Sequence, residues 1–205
     1  MLCENHHVQP LDAGKRGLLR RGIALERVTL GWNVVGVIVL AFAALEARSI
    51  ALAGFGLDSV VEIGASTVVL WELTDSSERR QATALRLIGV AFLLLSLYVA
   101  VQSTVVLVTR YHPKHSPLGI GWTALTAVVM FALAAGKSRV GKTLQNPVLQ
   151  LEGRVTFVDG LLATAVLVGL VLNTMLGAWW ADPLAGYVIV FYALKESTAT
   201  LRGHQ

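Results

Sequence analysis

Gly54-Phe55-Gly56-Leu57-Asp58-Ser59-Val60-Val61-Glu62-Ile63-Gly64-Ala65-Ser66 lies inside an apolar run from about Ile50 to Leu70. That run is long enough to cross a bilayer as a helix. Asp58 and Glu62 are four residues apart, so a helix projects both carboxylates from one face. Each acid at the centre of a membrane helix costs about 2.5–3.5 kcal/mol on insertion scales. Two on one face need cations, protons or partner groups to offset them, and such partners are expected elsewhere in the chain.

The composition around this stretch is that of an integral membrane protein. Of 205 residues, 55% are hydrophobic and 15% charged, with a mean hydropathy of +0.64. A soluble domain has about 45–50% apolar and about 25% charged residues. The net charge of +4 and pI of about 9.5 would suggest nucleic acid only in a soluble protein. Here they reflect membrane topology, and no nucleic-acid partner is expected. The single Cys3 excludes an internal disulfide framework and a CxxC metal site. The first 28 residues lack the apolar core of a cleavable signal peptide.

Hydropathy predicts an all-α membrane protein with three parts: an N-terminal arm (1–28), a six-helix transmembrane domain (29–201) and a short tail (202–205). The six spans are expected at 29–47, 50–73, 85–108, 118–136, 148–176 and 184–201. Within the arm, 15–25 suits a short helix on the membrane surface. Trp32 and the Trp179-Trp180 pair read as interfacial anchors. Residues 137–142 read as a basic connector, without the glycine pattern of a phosphate loop. His6-His7, and the loop pair His112 and His115, are metal-capable, but solvated loops are the plainer reading. Thirteen Lys and Arg fall on the side of the termini, against Arg48, Arg110 and Lys114 on the other. By the positive-inside rule both termini face the cytoplasm.

With this topology the second helix descends and the fifth ascends. Asp58 lies ~12 Å below the outer end of its helix, and Asp159 reaches a comparable depth from the other side. Glu152 is seven residues before Asp159 and shares its face, two turns nearer the cytoplasm. Asp58, Glu62, Asp159 and Glu152 form the candidate metal site, with Asn33 and Ser59 as accessory polar groups. Carboxylates clustered away from water suit a divalent cation. They also suit proton exchange, because neighbouring acids hinder one another's ionisation. The competing reading is structural: Arg154 neutralises Glu152 or Glu62 as an ion pair. Asn33, likewise, has a plainer reading as a hydrogen bond to a neighbouring helix.

Leu57-Asp58-Ser59-Val60-Val61-Glu62-Ile63-Gly64-Ala65-Ser66 resembles the second-helix motif of the cation diffusion facilitators, commonly DSxxD followed by small residues. The stretch from Leu151 to Asp159 resembles their fifth-helix motif, commonly ADxxHxxxD. Ala181-Asp182-Pro183-Leu184-Ala185-Gly186 is similar to the opening of their sixth helix. The resemblance covers residues 29–201. It implies export of a divalent metal, commonly zinc, in exchange for protons, by a homodimer. It carries Asp58, Glu62 and Asp159 over as ligands. The family's histidine is replaced by Val155, and Glu62 replaces the commoner Asp. The cytoplasmic domain that usually follows helix six has no counterpart in these 205 residues, so a short form of the family is implied.

A site of carboxylates alone shifts preference towards harder ions than zinc. The expected function is therefore transport of zinc or a related ion such as manganese, iron, cobalt or cadmium. The metal is cargo; no cofactor is expected. No enzymatic motif such as HExxH or GxSxG lies in the helices. Glu152 is expected as a ligand on the way in or a proton carrier. The expected location is the plasma (inner) membrane, with the lipid bilayer, protons and a second copy as partners. The alternative is a non-transporting scaffold or regulator that keeps the fold.

Overall fold

The computed structural model describes residues 13–47, 49–74, 78–110 and 116–180, and positions 183, 184, 187, 190, 191, 194, 195, 197 and 198. It contains α1 (Ala13–Ala47), α2 (Ile50–Thr74), α3 (Glu78–Thr109), α4 (Pro117–Leu144) and α5 (Pro147–Leu176). All five are long and apolar enough to cross a membrane, and no strand occurs among the described residues. The all-helical expectation therefore holds for these five.

The sixth expected span falls largely outside the described residues, and its described positions are helical. Two contacts fix their direction. The Tyr187 hydroxyl lies 2.7 Å from Thr104 Oγ1, and Ser197 Oγ donates to the Gly89 carbonyl at 2.9 Å. Moving from 187 to 197 thus descends α3 from 104 to 89, so this segment runs antiparallel to α3. Cys3, His6-His7, His112, His115 and the tail 202–205 lie outside the described residues.

Two boundaries differ from the hydropathy reading. The first helix starts at Ala13 and runs unbroken through the arm, so no surface helix separates from the span. The fourth continues eight residues past Gly136 to Leu144, and 137–142 is helix rather than connector. Hydropathy marks where apolar composition stops, whereas a helix stops where its backbone is capped. Here the caps are local. Gln145 adopts a left-handed conformation (φ 54°) that closes α4. Asn146 Oδ1 accepts from the Leu149 amide at 2.8 Å, and Pro147 opens α5. The true connection is two residues long. Its Asn146 amide also donates to both Glu72 oxygens, at 3.2 and 3.1 Å, tying the end of α2 to the α4–α5 turn.

Trp32 also sits differently. It lies well inside α1 and stacks on Trp122 of α4, with ring centroids 4.9 Å apart and planes 9° from parallel. Its indole donates to Thr126 Oγ1 at 3.2 Å. It packs between α1 and α4.

Lipid tails are as apolar as leucine, so helices in a bilayer associate by close packing and hydrogen bonds. The most extensive contact is α4 against α5. Small residues allow it. A Cβ on Gly153 would lie 2.7 Å from Ser138 Oγ, and one on Gly141 would lie 2.9 Å from the Gln150 backbone nitrogen. Large apolar side chains such as Phe42, Leu45, Leu97 and Val108 face outward, as a lipid-contacting surface requires. Helix α2 touches α1, α3 and α5, and α5 touches α2, α3 and α4. The two acid-bearing helices therefore meet inside the bundle.

Candidate functional site

All four predicted acids are removed from solvent: Asp58 and Glu62 are 2% and 3% exposed, Glu152 and Asp159 0% and 3%. Their α-helical spacing explains this. Asp58 and Glu62 share the face of α2 that also buries Phe55, Ala65 and Ser66. Glu152, Val155, Thr156 and Asp159 share the buried face of α5.

The structure divides the four into two groups. Asp58 and Asp159 meet across α2 and α5, within side-chain hydrogen-bonding reach of each other. Asp58 Oδ2 and Asp159 Oδ2 have no hydrogen-bond partner among the described residues. Two carboxylates this close repel unless a proton or a cation lies between them.

The second group lies towards the end of the bundle where α1 and α5 begin and α2 and α4 end, called here the lower end. Glu62 Oε1 accepts from Thr156 Oγ1 at 2.9 Å. Thr156 in turn accepts from Lys137 Nζ at 2.9 Å. The same ammonium lies 3.2 Å from Glu152 Oε1 and 3.0 Å from Glu26 Oε2. Ser66 Oγ donates to Glu152 Oε1 at 3.5 Å. A continuous polar track thus runs from Glu26 through Lys137 and Thr156 to Glu62, one turn below Asp58. Among the described residues, no three His, Cys, Asp or Glu side chains converge on one point as ligands in this conformation.

Sequence reasoning missed Lys137 and Glu26. The competing structural reading gives Arg154 as the ion-pair partner of Glu152 or Glu62. Arg154 is exposed, and the fully buried Lys137 holds that place. The signal was present in the spacing: Met130, Leu133, Ala134, Lys137 and Gly141 form one buried face of α4 at helical period. The cut at Gly136 hid it. Glu26 was hidden in the same way by the boundary drawn after Val28.

The accessory residues bond locally. Asn33 Nδ2 donates to the Thr29 carbonyl of its own helix at 3.0 Å rather than to a neighbour. Ser59 Oγ donates to the Phe55 carbonyl at 3.4 Å. Both are buried. Above Asp58, a cavity of about 30 Å³ opens between α2, α3 and α5, lined by Gly54, Tyr98, Gln102, Ser103 and Leu162 among others. It is large enough for water.

A family model described as the cation efflux transmembrane domain matches residues 83–203, more than half of the 205. The matched part includes Glu152 and Asp159 and starts after Asp58 and Glu62. The chain is also similar to Transmembrane protein 163 of Xenopus laevis, 28% identical over 151 residues. That alignment covers 69% of this chain and 54% of the relative, so the chain spans about half of the relative's length. With the match extending over α3, α4, α5 and the segment beyond them, the chain belongs to the cation efflux family and is an integral multi-pass membrane protein.

Proposed function

We propose that the chain carries a divalent metal cation across the membrane by alternating access, binding it between Asp58 and Asp159 with Glu62 as a third carboxylate. One observation carries this reading: two buried carboxyl groups from different helices meet at mid-bundle, each with an oxygen that has no partner among the described residues. A divalent ion offsets the charge that both acids lose contact with water for. Glu62 sits one turn away on Thr156, close enough to join after a modest shift of α2 against α5. Val155 in place of a histidine leaves oxygen donors to do the coordination. Zinc is the first expectation, and manganese or ferrous iron compete in an all-oxygen site. Export with both termini cytoplasmic, exchange against protons, a sixth span over 184–201, a homodimer in the plasma membrane and Glu152 as a ligand on the way in complete the proposal.

The test is uptake of zinc and of manganese into proteoliposomes with a pH-sensitive dye inside. Transport lost in Asp58→Asn and in Asp159→Asn supports the assigned site, and unchanged transport in both sinks it. The scaffold reading draws on a specific observation, the Lys137 ammonium already seated on Glu152. Absence of uptake of any divalent ion, under a proton gradient of either sign, would favour it.

A further inference from the structure

We propose that Glu26 and Glu152 form a second divalent-cation site at the lower end of the bundle, held in this conformation by the Lys137 ammonium as a tethered substitute for the ion. The inference rests on the cation-carrier reading above and adds a site to it.

Three helices supply one charged group each: Glu26 from α1, Lys137 from α4 and Glu152 from α5. All three are fully buried. Two carboxylates share a single ammonium, at 3.0 and 3.2 Å, so one cation serves two acids. Glu26 Oε1 and Glu152 Oε2 are buried without a hydrogen-bond partner among the described residues. A lysine offers one charge and three donors, and it leaves these oxygens unmet. A divalent ion offers two charges and takes six or more oxygen ligands. The surrounding donors are oxygens: the two carboxylates, Ser66 Oγ at 3.5 Å from Glu152 and Thr156 Oγ1 at 2.9 Å from the ammonium. That set suits a hard cation such as manganese or magnesium rather than a soft one.

The cluster also has the right connections for a step on the way to Asp58. Thr156 accepts from Lys137 and donates to Glu62. An ion that displaces the ammonium takes away the donor to Thr156, and with it the polarisation that strengthens the Thr156 bond to Glu62. The same displacement removes the ion pair that joins α1 to α4, which loosens the lower end. Buried ion pairs are often no more stable than an apolar replacement, so stability alone gives little reason for this one.

The test uses the full chain in lipid nanodiscs, with manganese as the probe. In an Asp58→Asn background, which removes the central site, Lys137→Gln is expected to gain one bound manganese ion per chain. Adding Glu26→Gln is expected to remove it. A folded Asp58→Asn/Lys137→Gln chain that binds no additional manganese overturns the proposal. A second measurement does not depend on that variant folding. In the unsubstituted chain Lys137 is sealed from a water-soluble amine reagent, while Lys15 and Lys142 are exposed references. Manganese is expected to raise labelling of Lys137 several-fold, read by peptide mass spectrometry. Labelling of Lys137 that does not respond to manganese overturns displacement. Neither readout measures transport, so failure here is distinct from unchanged transport in Asp58→Asn and Asp159→Asn.

Discussion

Asp58 and Asp159 are the pair on which transport is expected to turn. Replacing either by Asn keeps the shape and removes the charge. Uptake in proteoliposomes is expected to fall at least tenfold, equivalent to ~1.4 kcal/mol or more of lost ion binding. A fall of less than twofold in both variants would place the ion elsewhere. Lys137 is the residue on which stability turns. Lys137→Met leaves Glu26 and Glu152 facing each other, buried and uncompensated. The expected cost is about 3–5 kcal/mol, measured by denaturant unfolding in detergent micelles. Adding Glu26→Gln to Lys137→Met is expected to recover part of that loss, because one of the stranded charges goes with it. A cost no larger than an ordinary surface substitution would mean that water reaches the triad. At this scale the sequence was informative about the acids and silent about their cation. An acid inside an apolar run is conspicuous anywhere. Lys137 stands next to Arg139 and Lys142, and from composition alone it looks like a third member of a water-facing basic patch.

The α4–α5 hairpin is the element that fixes the site's floor. It depends on a cap and on two glycines. Asn146→Ala removes the side-chain acceptor for the Leu149 amide and the bonds to Glu72. The expected loss is about 1–2 kcal/mol, at the upper end of measured N-caps because the buried Glu72 carboxylate also loses its bonds from Asn146. Gly153→Val forces a branched side chain into a gap where even a methyl would lie 2.7 Å from Ser138 Oγ and 3.0 Å from its backbone nitrogen. About 1–3 kcal/mol is expected from overpacking, seen as a lower thermal midpoint, along with a shift of Glu152 relative to Lys137. A Gly153→Val chain as stable as the original would show that α4 and α5 have freedom to separate. The existence of both helices was legible from their hydropathy. Their junction was not, because Lys137, Arg139 and Lys142 end the apolar window before Gln145 and Asn146 end the helix.

For the whole molecule, the arrangement of charges predicts an orientation. In a Cys3→Ser background, cysteines at Lys15 and Lys142 are expected to react with an impermeant thiol reagent only from the cytoplasmic side. A cysteine at Gly177, just past α5, is expected to react only from outside. Reaction of all three from the same side would contradict the antiparallel bundle, and a full reversal would contradict the positive-inside assignment. The sequence by itself determined the all-helical membrane class, the approximate positions of α2, α3 and α5, and the acids that a bilayer makes costly. Those follow from composition and from helical period, which act along the chain. The tertiary structure decided which groups meet. It brought Asp58 to Asp159, gave Glu62 to Thr156, and placed Lys137 between Glu26 and Glu152 from three separate helices. The stagger of α1 against α4 and the close approach of α4 to α5 set those contacts, and they arise from packing between helices that no one-dimensional pattern records.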